Sequence, residues 1–451
     1  MQVLVLLTRD PGAVVTRQGL FDQIWGGVPV GDDSLNRAIA GARKALALDP
    51  DNLELETIPR TGYRLNVRGQ PRPAAGLSRR AVVAAAATLL AATGGAGLWY
   101  RANREEEEFD SLMRRGREKL AYGDHSSESA AFFARAASVR PGDGAAKGLL
   151  AYSLAGQVDS GQATQASVAL KQAEEAKQAA LRIDPREPNA RLAEIILERS
   201  TLDFAGTEDR LNAVLRDDPR NIHAMRHLWN VKQCVGRSSE ALALVERAIA
   251  IAPLAAANHF PRAQLLWIVG RDAEADRVID RAIQYWPDHP FVRFARFTIL
   301  AFTGRARAAL AMLEDPKSRP QHYSAEVLAL WRANLPALDR PTPANVAKAR
   351  VASLESTRRN PQLAAPALLT LSSLGEVDAG FEVANAVFAM GGPAGAKRAK
   401  GTAWRFAPWL FTPPLAAMRA DPRFGAVCDA AGLSDYWARR RVQPDYRAGI
   451  A

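Results

Sequence analysis

A mainly α-helical fold, preceded by a small domain of helices and strands, is predicted from three observations on this chain of 451 residues. Residues 19–65 have the pattern of two helices followed by two strands. Residues 81–100 form an uncharged stretch, and the residues after about 105 repeat with a regular period. Together these features predict an N-terminal winged helix-turn-helix (α+β), one transmembrane helix and a C-terminal α-solenoid.

The N-terminal domain should open with a helix from Gln2 to Arg9, followed by a second helix that Thr16 caps and that runs through Trp25. A Gly-rich loop follows, and one of the polar residues at 32–34 can begin a third helix. Four apolar residues of the third helix fall at helical spacing and should pack inward. They are Leu35, Ile39, Ala42 and Leu46.

The opposite face of the third helix carries side chains that suit DNA. Asn36 and Arg37, with Ala40 beside them, lie where Asn and Arg can pair with adenine and guanine edges in the major groove. Arg43 and Lys44 lie further along the helix and suit phosphate contacts, which position a protein without reading sequence. Double-stranded DNA is therefore the partner that this helix predicts.

Two strands should follow the third helix. The segment Leu53–Ile58 alternates between apolar and polar residues as a strand does, and Tyr63–Val67 is its expected partner. The turn between them is Pro59–Gly62, where Gly62 allows a tight reversal. The pair forms a ribbon that ends next to a basic turn, which is the wing of the predicted fold.

This order of elements resembles the C-terminal effector domain of the OmpR/PhoB response regulators. It is most similar to the ToxR/CadC branch, in which that domain sits directly on a membrane anchor. The resemblance runs from Met1 to Val67 and is carried by Ile24-Trp25, Ala38-Ile39 with Arg43-Lys44, and Ile58-Pro59-Arg60-Thr61-Gly62-Tyr63-Arg64. It implies a recognition-helix role for Asn36, Arg37 and Ala40. It implies wing contacts for Arg60, Thr61 and Arg64.

The chain departs from that family in two places. The family domain opens with a small antiparallel sheet, whereas Met1 lies at the first helix, so we expect the domain to be truncated at its N-terminus. Either the start codon is placed too far downstream or the domain is decayed and has lost DNA binding. Gly41-Ala42 also replaces a polar residue and Leu, which weakens the helix by up to about 1 kcal/mol.

The uncharged stretch from Ala81 to Tyr100 has the length of a membrane-spanning helix, and Trp99-Tyr100 suits a membrane interface. A soluble, Ala-rich helix is the alternative, because the stretch holds eight Ala and three Gly. Since DNA binding requires a cytoplasmic N-terminus, a span would place residues 101 onward in the periplasm. The predicted location is therefore the inner (cytoplasmic) membrane, crossed once.

The C-terminal part repeats with one fixed period, in which Pro ends each unit, Gly lies at the turn within it and Ala holds fixed helical positions. The recurring residues are Pro185, Pro219, Pro253 and Pro287; Gly236, Gly270 and Gly304; Ala241, Ala275 and Ala309; Ala248 and Ala282. This spacing is similar to that of tetratricopeptide repeats, which are pairs of antiparallel helices. Such an array presents a concave surface to a protein or peptide partner, or to a second copy of the chain.

The pattern changes after residue 310. The proline-rich stretch Leu335–Pro343 indicates a linker, and Gly375 is a plausible turn between two later helices. The ending from Pro413 to Trp437 resembles the tail of bacterial regulators that carry these repeats. It predicts a cap over the last helix pair.

Composition and motifs exclude most enzyme classes. The net charge is +11, but residues 1–80 hold 11 Lys/Arg and 8 Asp/Glu, so charge alone is weak evidence for DNA. The sequence contains no phosphate-binding loop, nucleophile elbow or zinc spacing, which predicts no enzyme, cofactor or metal. His223 and His227 are four residues apart without further ligands, and Cys234 and Cys428 are expected to be buried thiols.

The sequence therefore predicts a membrane-anchored, one-component transcription regulator that takes part in signal transduction. Its parts would be a winged helix at 1–68, a linker at 69–80, a transmembrane helix at 81–100 and a repeat domain with a cap at 101–451. A signal or partner at the repeat domain would change how two copies, as a homodimer, occupy adjacent half-sites. The alternatives are a soluble regulator and a repeat scaffold with a vestigial DNA-binding module.

Overall fold

The computed structural model divides the chain into two compact units, Met1–Glu106 and Glu107–Ala451. The residues that the structure describes are 2–8, 12–25, 32–46, 53–59, 61–67, 103–123, 127–160, 163, 165–198, 203–321, 323–388, 404 and 406–449.

The described part of the first unit consists of three helices and a small antiparallel sheet. The elements are α1 Gln2–Leu7, β1 Val14–Thr16, α2 Arg17–Trp25, α3 Asp32–Leu46, β2 Leu53–Ile58 and β3 Gly62–Val67. The strand order is β1-β3-β2, so β3 lies in the centre. The predicted strands are confirmed, and the register places Glu56 opposite Arg64 and Thr57 opposite Tyr63.

The third strand of the sheet, β1, was not predicted from the sequence. It pairs antiparallel with β3 and places Val15 opposite Tyr63. The last residue of β1, Thr16, also caps α2, because the Gly19 amide donates to Thr16 Oγ1 at 3.0 Å. The predicted cap is therefore confirmed, and the same residue ends a strand and begins a helix.

The core of the first unit is formed by one face of α3 packed against α1, α2 and the sheet. The four predicted inward residues of α3 are all buried, which confirms the helical period. The buried core residues are Val3, Leu7, Leu20, Leu35, Ile39, Ala42, Leu46, Tyr63 and Leu65.

The transmembrane helix that the sequence predicted is not supported by the structure. Among the residues that the structure describes, every helix is too short or too polar to cross a membrane. The fold-class prediction that included one transmembrane helix is wrong on this finding, and so is the single-pass inner-membrane location with a periplasmic C-terminal domain. Residues 81–100 lie outside the described residues. Their eight Ala add little apolar surface each, so length and absence of charge were a weak basis for a span.

The second unit is built from antiparallel helix pairs. Its first helix is α4, residues 103–122, whose first four residues precede the boundary between the two units. The following helices are α5 Ser127–Val139, α6 Gly144–Ser160, α7 Ala166–Ile183, α8 Pro188–Leu197, α9 Phe204–Asp217, α10 Ile222–Cys234, α11 Ser238–Ile251, α12 Ala256–Ile268, α13 Asp272–Tyr285, α14 Pro290–Phe302, α15 Ala306–Glu314, α16 Ala325–Asp339, α17 Pro343–Arg359, α18 Ala364–Ser373 and α19 Val377–Phe388.

The repeat positions take the conformations that the sequence predicted. Gly236, Gly270 and Gly304 each have φ between 72° and 77°, and each lies between the two helices of a pair. Ala241, Ala275 and Ala309 are fully buried, so paired helices approach closely. Gly375 also has a positive φ, at the turn between α18 and α19.

Ion pairs between successive helix pairs follow the same period. Glu246 of α11 accepts from Arg262 Nε of α12 at 2.7 Å. One repeat later, Asp280 and Arg296 form the equivalent pair between α13 and α14. Each pair is partly exposed, so it contributes little stability and mainly fixes how one repeat meets the next.

The predicted linker at Leu335–Pro343 is wrong for most of its length, because residues 335–339 are the end of α16 and Pro343 begins α17, which leaves residues 340–342 between the two helices. Pro336 lies inside the last turns of α16, and its carbonyl still accepts from the Arg340 amide at 3.0 Å. Pro343 is the first residue of α17, where its missing N–H costs nothing, and Thr342 caps that helix. Pro336 and Pro343 therefore lie at helix ends and do not mark a linker.

The C-terminal segment contains three short helices, α20 Ala416–Ala420, α21 Phe424–Ala430 and α22 Leu433–Arg440, and the 3-10 turns Ala407–Trp409 and Pro413–Leu415. It packs on the last helix pair, where the Met418 amide donates to Ser372 Oγ at 3.3 Å. It also returns to α9, α10 and α11, which lie far earlier in the chain. Cys234 and Cys428 are buried thiols, as predicted.

Candidate nucleic-acid interface

The outer face of α3 is the surface on which the predicted base contacts lie. Asn36, Ala40 and Lys44 are exposed and follow one another at four-residue spacing, so they form one row along the helix. Leu35 and Ile39, on the opposite side, are 0% and 3% exposed. A helix anchored by one apolar face and open along the other has the form that enters a major groove.

Arg37 belongs to α3, but its side chain lies outside what the structure describes. In the helix it directly follows Asn36.

Arg43 lies at the edge of this face and is tied to the sheet. Its Nη2 donates to Thr57 Oγ1 of β2 at 2.7 Å. The hydrogen bond uses one of the five guanidinium N–H donors and leaves the others for an acceptor such as a phosphate oxygen. Thr57 therefore fixes the direction of the Arg43 guanidinium group. The sequence predicted a role for Arg43 but gave no signal for Thr57.

The wing turn is short and partly described. The Thr61 amide donates to the Ile58 carbonyl at 3.1 Å, and Thr61 Oγ1 donates to the Pro59 carbonyl at 3.3 Å. Thr61 is exposed, whereas Arg60 lies outside the described residues. The turn thus presents Thr61 at its outer end.

Gly62 is required by close packing. A Cβ atom at Gly62 would lie 2.0 Å from the Val15 carbonyl oxygen of β1. Carbon and oxygen atoms that are not bonded do not approach so closely, so β1 could not pair with β3 in this way if residue 62 carried a side chain. The role predicted for Gly62 was a tight reversal, and the structure adds this second reason.

Arg64 lies on the sheet face that points away from α3. Strand residues alternate between faces, and its neighbours Tyr63 and Leu65 are buried in the core. Arg64 Nε and Nη2 donate to Glu56 Oε2 at 3.0 and 2.8 Å, and Asn66 Nδ2 donates to the same oxygen at 2.8 Å. The hydrogen bonds from Asn66 and Arg64 lower the pKa of Glu56. Arg64 is therefore held in an ion pair within the sheet.

Among the predicted site residues whose side chains the structure describes, Thr61 lies at the wing turn and the others fall into two groups. The structure brings Asn36, Ala40, Arg43 and Lys44 together on α3, and it places Arg64 on the sheet beside Glu56.

Comparison with known families agrees with this geometry. Residues 1–65 match the family model described as "Transcriptional regulatory protein, C terminal". The N-terminal domain is thus similar to the OmpR/PhoB-type winged helix, which confirms the resemblance found in the sequence.

The curated relatives match a stretch about as long as this domain. The Transcriptional regulator HilA of Salmonella typhimurium is 39% identical over 64 residues, which cover 14% of this chain and 12% of that protein. The HilA protein of Salmonella typhi matches to the same extent. The chain therefore aligns with about one eighth of the length of these relatives.

Solved structures resemble the repeat region only loosely. A tetratricopeptide repeat protein from Parabacteroides merdae has a TM-score of 0.35 and 14% identity, covering 56% of this chain and 94% of that chain. Yeast Tom70 has a TM-score of 0.35 and 15% identity, covering 62% of this chain and 58% of that chain. The repeat architecture accordingly rests on the period of the sequence, the left-handed glycines and the buried alanines.

Proposed function

We propose that this chain is a transcription regulator that binds promoter DNA through α3 and the adjoining wing, and binds a protein partner through its helical repeats. The observation that carries the proposal is the exposed row Asn36, Ala40 and Lys44 on a helix whose other face is buried in the core. The similarity of residues 1–65 to a transcriptional regulatory family supports it.

Within this proposal the side chains have separate tasks. Asn36 and Arg37, beside Ala40, read base edges, because amide and guanidinium groups can form paired hydrogen bonds with adenine and guanine. Arg43 and Lys44 neutralise phosphates and set the position of the domain.

The wing contributes three contacts outside the major groove, from Arg60, Thr61 and Arg64. Arg64 must exchange its Glu56 partner for a phosphate to do so.

The domain limits follow from the same proposal. We assign DNA binding to residues 1–68 and partner binding to residues 101–451, with residues 69–80 as a linker. Two copies bound to adjacent half-sites would gain effective concentration from any partner that brings them together. The repeat array would then control occupancy of DNA without a base contact of its own.

Replacing Lys44 by alanine is expected to weaken binding of the full chain to all DNA sequences alike. Each neutralised phosphate contributes about −0.9 to the slope of log K against log salt concentration, so the slope should fall in magnitude by about 1. Asn36→Ala should instead reduce the preference for the selected sequence by about 1–3 kcal/mol and leave the slope unchanged. The measurement is a binding titration on selected and scrambled fragments over a salt series.

Lys171→Ala is the matched control, because Lys171 is an exposed lysine on α7 whose side chain is 79% accessible. Its removal lowers the net charge by the same amount and should leave the salt slope as in the wild type. A folded wild-type chain that binds every fragment equally and weakly would contradict the proposal. It would favour the second function, a repeat scaffold whose DNA-binding module is vestigial.

A further inference from the structure

The C-terminal residues 433–447, called here the clasp, lie on α9, α10 and the start of α11. Tyr436 Oη donates to Glu208 Oε2 of α9 at 2.8 Å, and Trp437 Nε1 donates to the Val235 carbonyl after α10 at 2.8 Å. The two aromatic residues are 2% and 7% exposed. Each buries an apolar ring and pairs its polar tip with a repeat atom, as aromatic anchors do at protein interfaces.

Charged contacts follow the aromatic pair along the clasp. Arg440 Nη2 donates to the Ala205 carbonyl and to Asp209 Oδ1, both at 2.7 Å. Asp445 Oδ2 then accepts from the Ser239 amide in the first turn of α11 at 2.8 Å. The N-cap residue of α11, Arg237, makes no side-chain cap hydrogen bond of its own in the described structure. Asp445 therefore supplies a cap that the helix does not provide.

The surface under the clasp is specific to one repeat. The turns at Gly236, Gly270 and Gly304 are equivalent, because each is a left-handed glycine followed by arginine at the same position of its repeat. At Gly270 and Gly304 no described atom lies within 4 Å of the place where a Cβ would stand. At Gly236, Pro444 of the clasp lies 2.7 Å from that place, and Phe411, earlier in the C-terminal segment, lies 2.9 Å from it. The turn at Gly236 thus has the same backbone conformation as the turns at Gly270 and Gly304, but it alone of these three is covered by the C-terminal segment.

The receiving surface is already balanced in charge without the clasp. Lys232 Nζ lies 2.6 Å from Glu208 Oε1 and 2.7 Å from Glu240 Oε2, and the Lys232 and Glu208 side chains are only 13% and 10% exposed. Arg237 Nε also donates to Glu240 at 2.8 Å. Breaking a buried ion pair costs free energy mainly because one charge is left buried without its partner. Arg440 of the clasp also lies 3.3 Å from Glu208 Oε2 and pairs with the exposed Asp209. Glu208 keeps Lys232 as its partner when the clasp leaves, so no buried charge of this surface is left unpaired.

We propose that the surface formed by α9, α10 and the start of α11 is a protein-binding site that the chain's own C-terminus occupies. The partner is a protein segment with the chemistry of the clasp. It carries two adjacent aromatic residues with hydrogen-bonding tips, an arginine soon after the second aromatic, and an aspartate that caps α11. Such a partner binds by replacing the clasp, so the clasp sets the threshold for partner binding. This inference rests on the proposed binding of a protein partner by the repeats and does not depend on DNA binding.

A fluorescent synthetic peptide of residues 430–449 tests the proposal by fluorescence anisotropy with the full chain. The wild-type chain should bind it weakly, since its own clasp competes. The full-length double variant Arg440→Ala, Asp445→Ala should bind it at least about tenfold more tightly, because the site is open for a larger fraction of the time. Changing Tyr436 to Phe in the peptide removes a hydrogen bond to a charged group and should weaken binding by about tenfold.

Asp429→Ala is the matched control, because Asp429 is exposed and precedes the clasp; this variant should bind the peptide as weakly as the wild type. A double variant that keeps its helical circular dichroism but gains no affinity for the peptide would overturn the proposal. Equal binding of the peptide by the wild type and the double variant would mean that the clasp does not cover the site. A chain truncated after Gly432, if folded, should bind the peptide most tightly of all.

Discussion

Gly62→Ala is expected to disrupt the three-stranded sheet of the N-terminal domain and to abolish DNA binding by the full chain. The added Cβ would lie 2.0 Å from the Val15 carbonyl oxygen and 2.8 Å from the Thr16 Cα. Both neighbours are backbone atoms of β1, so no side-chain rotation can relieve the clash. Separating β1 from β3 also removes the support of Thr16, which caps α2. We expect a loss of about 3 kcal/mol or more in the stability of this domain.

Hydrogen–deuterium exchange of the peptide covering residues 53–67 measures this loss, because it reports the local opening of the sheet within the full chain. Gly41→Ala is the matched control. A Cβ at Gly41 meets no described atom within 4 Å, and alanine favours a helix more than glycine does, so α3 should gain up to about 1 kcal/mol. If Gly62→Ala exchanged as slowly as the wild type, the pairing of β1 with β3 would be wrong.

The elements of the N-terminal domain differ in how well the sequence indicates them. The 15 residues of α3 give several turns of an apolar period, so the buried positions of Leu35 and Ile39 could be predicted. Strand β1 has only three residues, which is too short to show an alternation. The sequence signal for β1 is the β-branched run Val14-Val15-Thr16. This run indicates a strand only when β3 is known to be the central strand, which pairs with a neighbour on each side.

The candidate site was predictable in part for the same reason. Exposure of Asn36 and Lys44 follows from the period of the helix. The partner of Arg43 depends on which strand residue lies beside α3, and the Arg64–Glu56 pair depends on the register of β2 with β3. Register is a property of two segments together, so a basic residue near a turn cannot be assigned to DNA from its charge alone.

In the repeat region, the period located the turns and the buried alanines but not the contacts between distant repeats. Tyr436 and Trp437 were recognised as part of a terminal cap, whereas their partners Glu208 and Val235 lie several repeats earlier. A repeat pattern describes only neighbouring units, because each unit contacts the next. The return of the C-terminus to α9 and α10 is a tertiary feature without a periodic signal.

Glu187→Gln is expected to make the helical repeats more stable above pH 7 and to flatten the dependence of their stability on pH. Glu187 is 3% exposed and caps α8, where its Oε2 accepts from the Ala190 amide at 2.5 Å. The carboxyl fits only because residue 148 is glycine: a Cβ there would lie 1.9 Å from that oxygen. Burial raises the pKa of Glu187 from 4.5 to about 7, against the hydrogen bonds from Ala190 and Asn189, which lower it.

The sign of the effect follows from the raised pKa. The folded carboxyl keeps its proton up to about pH 7, whereas the unfolded one ionises near 4.5. Its contribution to stability is therefore complete below pH 4.5 and is lost as the pH rises through 7, a change of about 3 kcal/mol. Glutamine can keep the oxygen that accepts from the Ala190 amide, loses the second acceptor that faces Asn189 Nδ2, and never ionises. The lost acceptor costs the same at every pH, so the stability difference between the variant and the wild type should still grow in favour of the variant over this range.

Urea denaturation of both chains from pH 4.5 to 8.5, followed by circular dichroism, measures that difference directly. Asn221 provides the control, because it holds the equivalent position one repeat later, caps α10 and accepts from the Ala224 amide at 2.8 Å without an ionisable group. Asn221→Ala should cost about 1 kcal/mol equally at every pH. A constant difference between Glu187→Gln and the wild type would mean that the buried carboxyl is ionised throughout. The two hydrogen bonds to its oxygens would then outweigh burial, and the close approach to Gly148 would serve packing alone.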